Sequence, residues 1–268
     1  MCLAAFALHA HPRFPLVIAA NRDEFFARAA APMAWWAERP EVLAGRDLGA
    51  GGTWFGLTRG GRLALLTNVR EPGRNNPAAP SRGAMVLDWL ASRETAPAFA
   101  QRLAGSHNGF NLITADLARD AWHWLSNRAP EPRAPVALGA GIHALSNAAL
   151  DTPWPKTLGL RTAMADALAC AADADDLVQR LLAALADPTP APDAELPDTG
   201  VGLDRERLLS PRFIRMPAPE RPELAAYGTR CSTVLVREAG GATRVVERSV
   251  APDGRWLAPV VHDLPSWP

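Results

Sequence analysis

The chain of 268 residues holds only three cysteines, an odd number with no close spacing, so Cys2, Cys170 and Cys231 form neither a disulfide framework nor a thiolate metal site. Charge of one sign is also lacking. The 28 basic and 28 acidic residues cancel to +0, which removes long-range attraction toward nucleic acid or an anionic membrane. No apolar run is long enough to span a bilayer, and the opening "MCLAAFALHAHPR" has no basic segment ahead of its apolar stretch, against a secretory signal. These absences point to a reducing, cytoplasmic setting without integral membrane contact. Six histidines are too few and too scattered for a metal centre: His9 and His11 share a strand face by spacing, but no H-E-x-x-H pattern accompanies them. "AGRDLGAGGTWFG" is glycine-rich without lysine and opens no βα unit, so its glycines fit tight turns better than a phosphate loop. No cofactor is implied.

What is present is enough apolar residue, 48%, to bury a sizeable core, and the expectation is one domain over 1–268 with an exposed Pro-rich loop at 187–200. "CLAAFAL" and "PLVIAA" read as strands, the second ending where polar "NRDEFF" begins. "GGTWFGLTRGGRLALLTN" reads as a hairpin that leaves Asn68 at a strand exit. "SRGAMVLDWLAS" reads as a helix capped by Ser81, with a second short helix around "FAQRLAG". "GFNLITAD" and "AWHWLSN" form a further pair, and "GIHALSN" is a short strand ending in Ser146 and Asn147. "WPKTLGLRTAMADALA" and "DADDLVQRLLAALAD" are helices; "RCSTVLVRE", "ATRVVERSV" and "RWLAPVV" supply the last strands. Hairpins followed by helices and then hairpins favour a layered α+β architecture over a doubly wound sheet.

Cys2 directly follows the initiator methionine. Methionine before a small residue is commonly removed, which places the thiol beside a free α-amine, and their ordinary pKa values, about 8.5 and about 7.7–8.0, make proton transfer between them cheap. A neutral amine can accept the thiol proton, the thiolate can attack a carbonyl, and the ammonium can protonate the leaving group. The bland reading is a small hydrophobe in an edge strand. Polar residues at the ends of other apolar strands supply what a terminal nucleophile needs. Asp23 could hold the α-amine, Arg22 or Arg230 could lower the thiol pKa or hold a substrate carboxylate, and Asn68 could donate to an oxyanion. Asn147 could position the amine or the substrate amide. Taken singly, each reads as a surface ion pair or a turn residue. His143 is conceivable as a histidine partner of Cys2. Trp35, Trp36 and Trp54 are candidates for core packing or for an apolar pocket wall, as is Trp154.

"MCLAAFALHAHPRFPLVIAANRDEFFARAAAP", "LAGRDLGAGGTWFGLTRGGRLALLTNVREP", "SRGAMV", "HALSNAALDTPWPK" and "YGTRCSTVL" resemble the NRDE family, also called the transport and Golgi organisation family, named for Asn21, Arg22, Asp23 and Glu24. That family in turn resembles N-terminal-nucleophile hydrolases of the choloylglycine and penicillin V acylase type. The resemblance implies a four-layer αββα fold with two stacked, mainly antiparallel sheets. It also implies Cys2 as nucleophile, Asp23 beside the amine, Asn68 as the oxyanion asparagine, Asn147 as the second active-site asparagine and Arg230 as the late arginine. One departure is visible: those hydrolases carry an arginine before an asparagine, whereas here Ala20 precedes Asn21 and the arginine is Arg22, leaving it to face either the pocket or solvent. The implied function is cleavage of a C–N bond in a small amide or acyl substrate. The alternative is a non-enzymatic carrier of haem or a lipid-like ligand on the same fold, and a homo-oligomer is compatible with either.

Overall fold

A computed structural model describes residues 2–103, 107–129, 134–216 and 226–268. The strands in chain order are β1 (Cys2–Leu8), β2 (Leu16–Phe25), β3 (Ala30–Trp36), β4 (Arg39–Asp47), β5 (Phe55–Thr58), β6 (Arg62–Asn68), β7 (Phe110–Asp116), β8 (Ala121–Ser126), β9 (Val136–Ala137), β10 (Gly141–Leu145), β11 (Arg215–Met216), β12 (Tyr227–Arg237), β13 (Thr243–Ser249) and β14 (Val260–Leu264). The helices are α1 (Arg82–Ala91), α2 (Ala96–Arg102), α3 (Pro155–Cys170), α4 (Ala174–Leu185) and α5 (Leu203–Leu209). The fold is α+β, with two antiparallel sheets that each carry helices. The chain divides into two compact units, Met1–Ala27 with Ala140–Ser146 and Asp151–Ser266, and Arg28–Gly139 with Asn147–Leu150 and Trp267–Pro268.

The first unit holds the sheet β10-β1-β2-β12-β13-β14, with β11 paired to β12. β1 and the first half of β2, Leu16–Ala20, are apolar on both faces because both faces are buried. One face, with Leu3, Ala5, Val17, Ala19, Val234 and Val236, packs under α3 and α4. α4 starts where the Asp173 carboxylate accepts the Asp176 N–H at 2.9 Å, with Asp175 and Asp176 favourably placed in its first turn. Its stripe of Leu177, Val178, Leu181, Leu182 and Leu185 then meets the sheet. α3 begins at Pro155, where the missing N–H costs nothing.

The second unit holds the sheet β3-β4-β5-β6-β7-β8-β9, with α1 and α2 packed on Trp36, Ala44, Ala64, Leu66, Leu112 and Leu125. Gly61, at φ +82°, makes the turn between β5 and β6.

Several local expectations change. β2 runs through the polar motif to Phe25, because β1 and β12 pair with it on both sides and give its polar side chains buried partners. Ser81 stands at the N-cap of α1 without a side-chain cap bond. His9 and His11 lie beyond the end of β1, in the turn where the His9 N–H reaches Pro15 O at 2.7 Å, so they share no strand face. "RWLAPVV" yields a strand only from Val260, with Trp256 in an isolated bridge to Val250.

Candidate active site

The site residues of the first unit come from three adjacent strands. Antiparallel register puts Cys2 opposite Arg22, and Arg22 opposite Cys231 on β12. Opposed residues share a face, so Cys2, Arg22 and Cys231 form one cross-strand row on the side away from α3 and α4. Arg22 is 5% exposed, which resolves its direction: it faces inward. Asp23 lies one step further along β2, level with the main-chain nitrogen side of Cys2.

Burial pushes the Cys2 thiol above the ordinary cysteine range, and the Asp23 charge adds to this, while the N-terminal ammonium and, more weakly, Arg22 pull it down. Cys2 is half-buried and free, so the resting group is a thiol that needs a base before it can act.

Asp23 is 1% exposed. Its Oδ1 accepts from Thr229 Oγ1 at 2.7 Å, and that hydroxyl oxygen also accepts the Ile214 N–H at 3.0 Å, so the carboxylate is fixed by a residue that is itself fixed. Asn21 has a different task. Its Nδ2 donates to Leu185 O at 2.9 Å and Arg212 O at 2.8 Å, and its Oδ1 accepts from Ser232 Oγ at 2.5 Å. Leu185 ends α4, so Asn21 satisfies a carbonyl the helix leaves open. Within the motif, alternation therefore gives Asn21 to the helix side and Arg22 to the Cys2 side.

Arg230 is the extra residue of a bulge, since the β2–β12 register shifts between Thr229 and Cys231. Its Nη1 donates to Phe25 O at 2.8 Å and its guanidinium lies 4.9 Å from the Phe26 ring centre. Burial and the nearby Arg22 charge lower its pKa. Next to it, Cys231 is buried, and burial together with the Glu247 carboxylate pushes its thiol well up. Ser146 donates its hydroxyl to Cys2 O at 3.0 Å. His143 pairs with Phe6, four residues from Cys2 or about 13 Å along the strand, and its Nδ1 meets Asp151 Oδ2 at 2.9 Å. It is therefore no partner for the thiol.

In the second unit, Asn68 ends β6, and its carbonyl accepts from Asn147 Nδ2 at 2.8 Å, while Arg70 N–H donates to Asn147 O at 2.7 Å. Behind them the fully buried Asn111 donates to Thr67 Oγ1 at 3.2 Å and Ala148 O at 2.8 Å, and accepts from Trp124 Nε1 at 3.1 Å. The two asparagines are thus directly bonded and held by a third. Trp36 belongs to the core, donating to Ala44 O at 3.0 Å, Trp35 carries Arg59 3.8 Å from its ring centre, and Trp54 is half-buried. Trp154 precedes α3 in the first unit.

Thr229, Ser232 and Asn111 are the polar residues that sequence reasoning passed over; it places Ser146 at a strand end without a role. Ser232 and Thr229 could have been found as the polar positions of "GTRCSTVLV", an otherwise apolar strand. Among the described residues no group of three metal-ligating side chains occurs, and no helix is long and apolar enough to cross a membrane.

The sequence matches the family described as Transport and Golgi organisation 2 over residues 1–252. A Bos taurus Transport and Golgi organization protein 2 homolog is 35% identical over 265 residues, covering 93% of each chain. A Homo sapiens homolog is 32% identical over 263 residues, again 93% of each. Among solved structures, the Caenorhabditis elegans N-acylethanolamine-hydrolyzing acid amidase ortholog is 14% identical with a TM-score of 0.48, over 88% of this chain and 92% of that one.

Proposed function

The chain belongs to the Transport and Golgi organisation 2 family, and from that premise we propose that it is a cysteine N-terminal-nucleophile amidohydrolase acting on a small amide. The observation that carries this reading is the grouping of Cys2, Arg22 and the buried, anchored Asp23 at the start of β1.

In the proposed reaction, Met1 is removed and Asp23 holds the exposed α-amine. The neutral amine takes the Cys2 proton and the thiolate adds to the amide carbonyl. Collapse breaks the C–N bond, the ammonium gives its proton to the departing amine, and a thioester remains on Sγ. Water, deprotonated by the same amine, then releases the acid and restores the thiol. Arg22 favours the thiolate; Arg230, occupied by two main-chain carbonyls, is assigned the positioning of the Phe25–Phe26 segment. Asn68 is proposed as the oxyanion donor and Asn147 as the residue that sets the Asn68 main chain.

The test is turnover of a panel of N-acyl amides by protein whose loss of Met1 has been verified by intact mass, beside Cys2→Ser and Cys2→Ala. Turnover abolished by Cys2→Ala supports the reading. Retained Met1 with no turnover, together with saturable binding of haem or acyl ligands indifferent to Cys2→Ala, would replace it with a carrier.

A further inference from the structure

In the first unit, helices cover the sheet in lanes two strands wide. α3 lies on β10 and β1, and α4 on β2 and β12. That spacing is what packing requires, because two strands at about 4.8 Å make roughly the 8–10 Å that one helix occupies. The sheet continues for two more strands, β13 and β14, and among the described residues no helix is centred over them. On this third lane Val246 and Val261 are cross-strand partners on the α4 side, and Val261 is 48% exposed. With Val178 and Leu182 of α4 and Pro259, they line a groove of ≈ 450 Å³.

The ends of the groove differ in charge. At one end Arg244 is ion-paired to both Asp175 and Asp263, and these two carboxylates also border an adjoining cleft of ≈ 480 Å³ where Asp173 and Glu238 outweigh Arg13. At the other end Arg248 lies 4.8 Å from the Trp256 ring centre, with no carboxylate in ion-pair distance among the described residues. We propose that this lane receives an amphipathic α-helix of a partner protein. Its apolar stripe packs on the exposed Val261, over a floor in which Val178, Leu182 and Val246 are already buried, a basic residue meets the Asp175–Asp263 end, and an acidic residue meets Arg248. The lane width selects a helix, and the opposed end charges set its direction.

The test uses the full chain and a labelled designed peptide of about sixteen residues, or roughly four turns. It carries leucines at i, i+3, i+4 and i+7, lysine at one end and glutamate at the other. Anisotropy should saturate in the tens of micromolar, and Val261→Asp should weaken binding by about tenfold or more. Arg248→Glu should weaken it too, and replacing the peptide glutamate by lysine should restore binding to that variant. Thermal melts check that both variants are folded. Absence of saturable binding, or binding indifferent to Val261→Asp, would overturn the proposal. So would dimerisation of the protein alone that Val261→Asp abolishes, which gives the lane to a second copy, or decanoate binding lost in Arg248→Glu without any peptide binding, which gives it to a small amphiphile.

Discussion

Cys2 and Arg22 stand directly opposite one another across β1 and β2. The Arg22 guanidinium, beside the larger pull of the N-terminal ammonium, opposes the burial that keeps this thiol protonated. Removing it as Arg22→Ala should move the alkylation–pH profile of Cys2 to higher pH and slow iodoacetamide modification at pH 8 severalfold. Peptide mapping of the modified cysteine provides the measurement. An unmoved profile would show that Arg22 has no influence on the thiol.

Asp23 and Thr229 separate chemistry from support. Asp23→Asn should reduce kcat/KM by orders of magnitude while the fold survives, because the amide can no longer hold a charged amine. Thr229→Val should cost about 1–3 kcal/mol, the range for stranding a buried hydrogen-bonding group, and reduce turnover less. Equal kinetic losses would mean that Asp23 acts only through packing. Kinetics and a thermal melt on the same samples decide.

Asn111→Ala should destabilise the second unit by about 1–3 kcal/mol, since Trp124 Nε1, Thr67 Oγ1 and Ala148 O all lose a buried partner. Denaturant unfolding measures this, and a change below a few tenths of a kcal/mol would contradict the network.

Stability should fall at both pH extremes for identifiable reasons. Burial works to raise the Asp151 pKa, but the His143 bond, the Ala144 N–H and the charges of His143 and Arg161 outweigh it and hold it low. Its contribution is present above the unfolded value of about 3.9 and is lost as pH falls through the lower folded value. Cys231 is the reverse case. Its thiol is raised by burial and Glu247, so its contribution is present below about pH 8.5 and is lost as pH rises toward the folded value. Asp151→Asn should flatten the acid limb and Cys231→Ala the alkaline limb of stability against pH.

Apolar periodicity made β1, β5, β6, β7, β12 and the α4 stripe legible, because each has one dominant burial pattern. It was blind to the end of β2, where polarity reads as exposure, although Asn21, Arg22 and Asp23 are all buried with their own neighbours. β3 and β4 escaped because Pro32 and Pro40 interrupt them, and an edge strand such as β3 tolerates proline. The identities of Cys2, Asp23 and Arg22 could be singled out from chemistry alone. Their register could not, nor could the bulge that carries Arg230, because pairing partners near opposite ends of the chain define both.

The most direct measurement is the site and stoichiometry of covalent labelling by a reactive β-lactone, read by intact mass and peptide mapping, on protein with Met1 removed and on a form that retains it. One acyl adduct per chain is expected, on Cys2, formed rapidly only when the α-amine is free and absent from Cys2→Ala. Equal labelling with and without Met1, or an adduct on Cys170 or Cys231 that leaves Cys2 unmodified, would contradict the proposed mechanism.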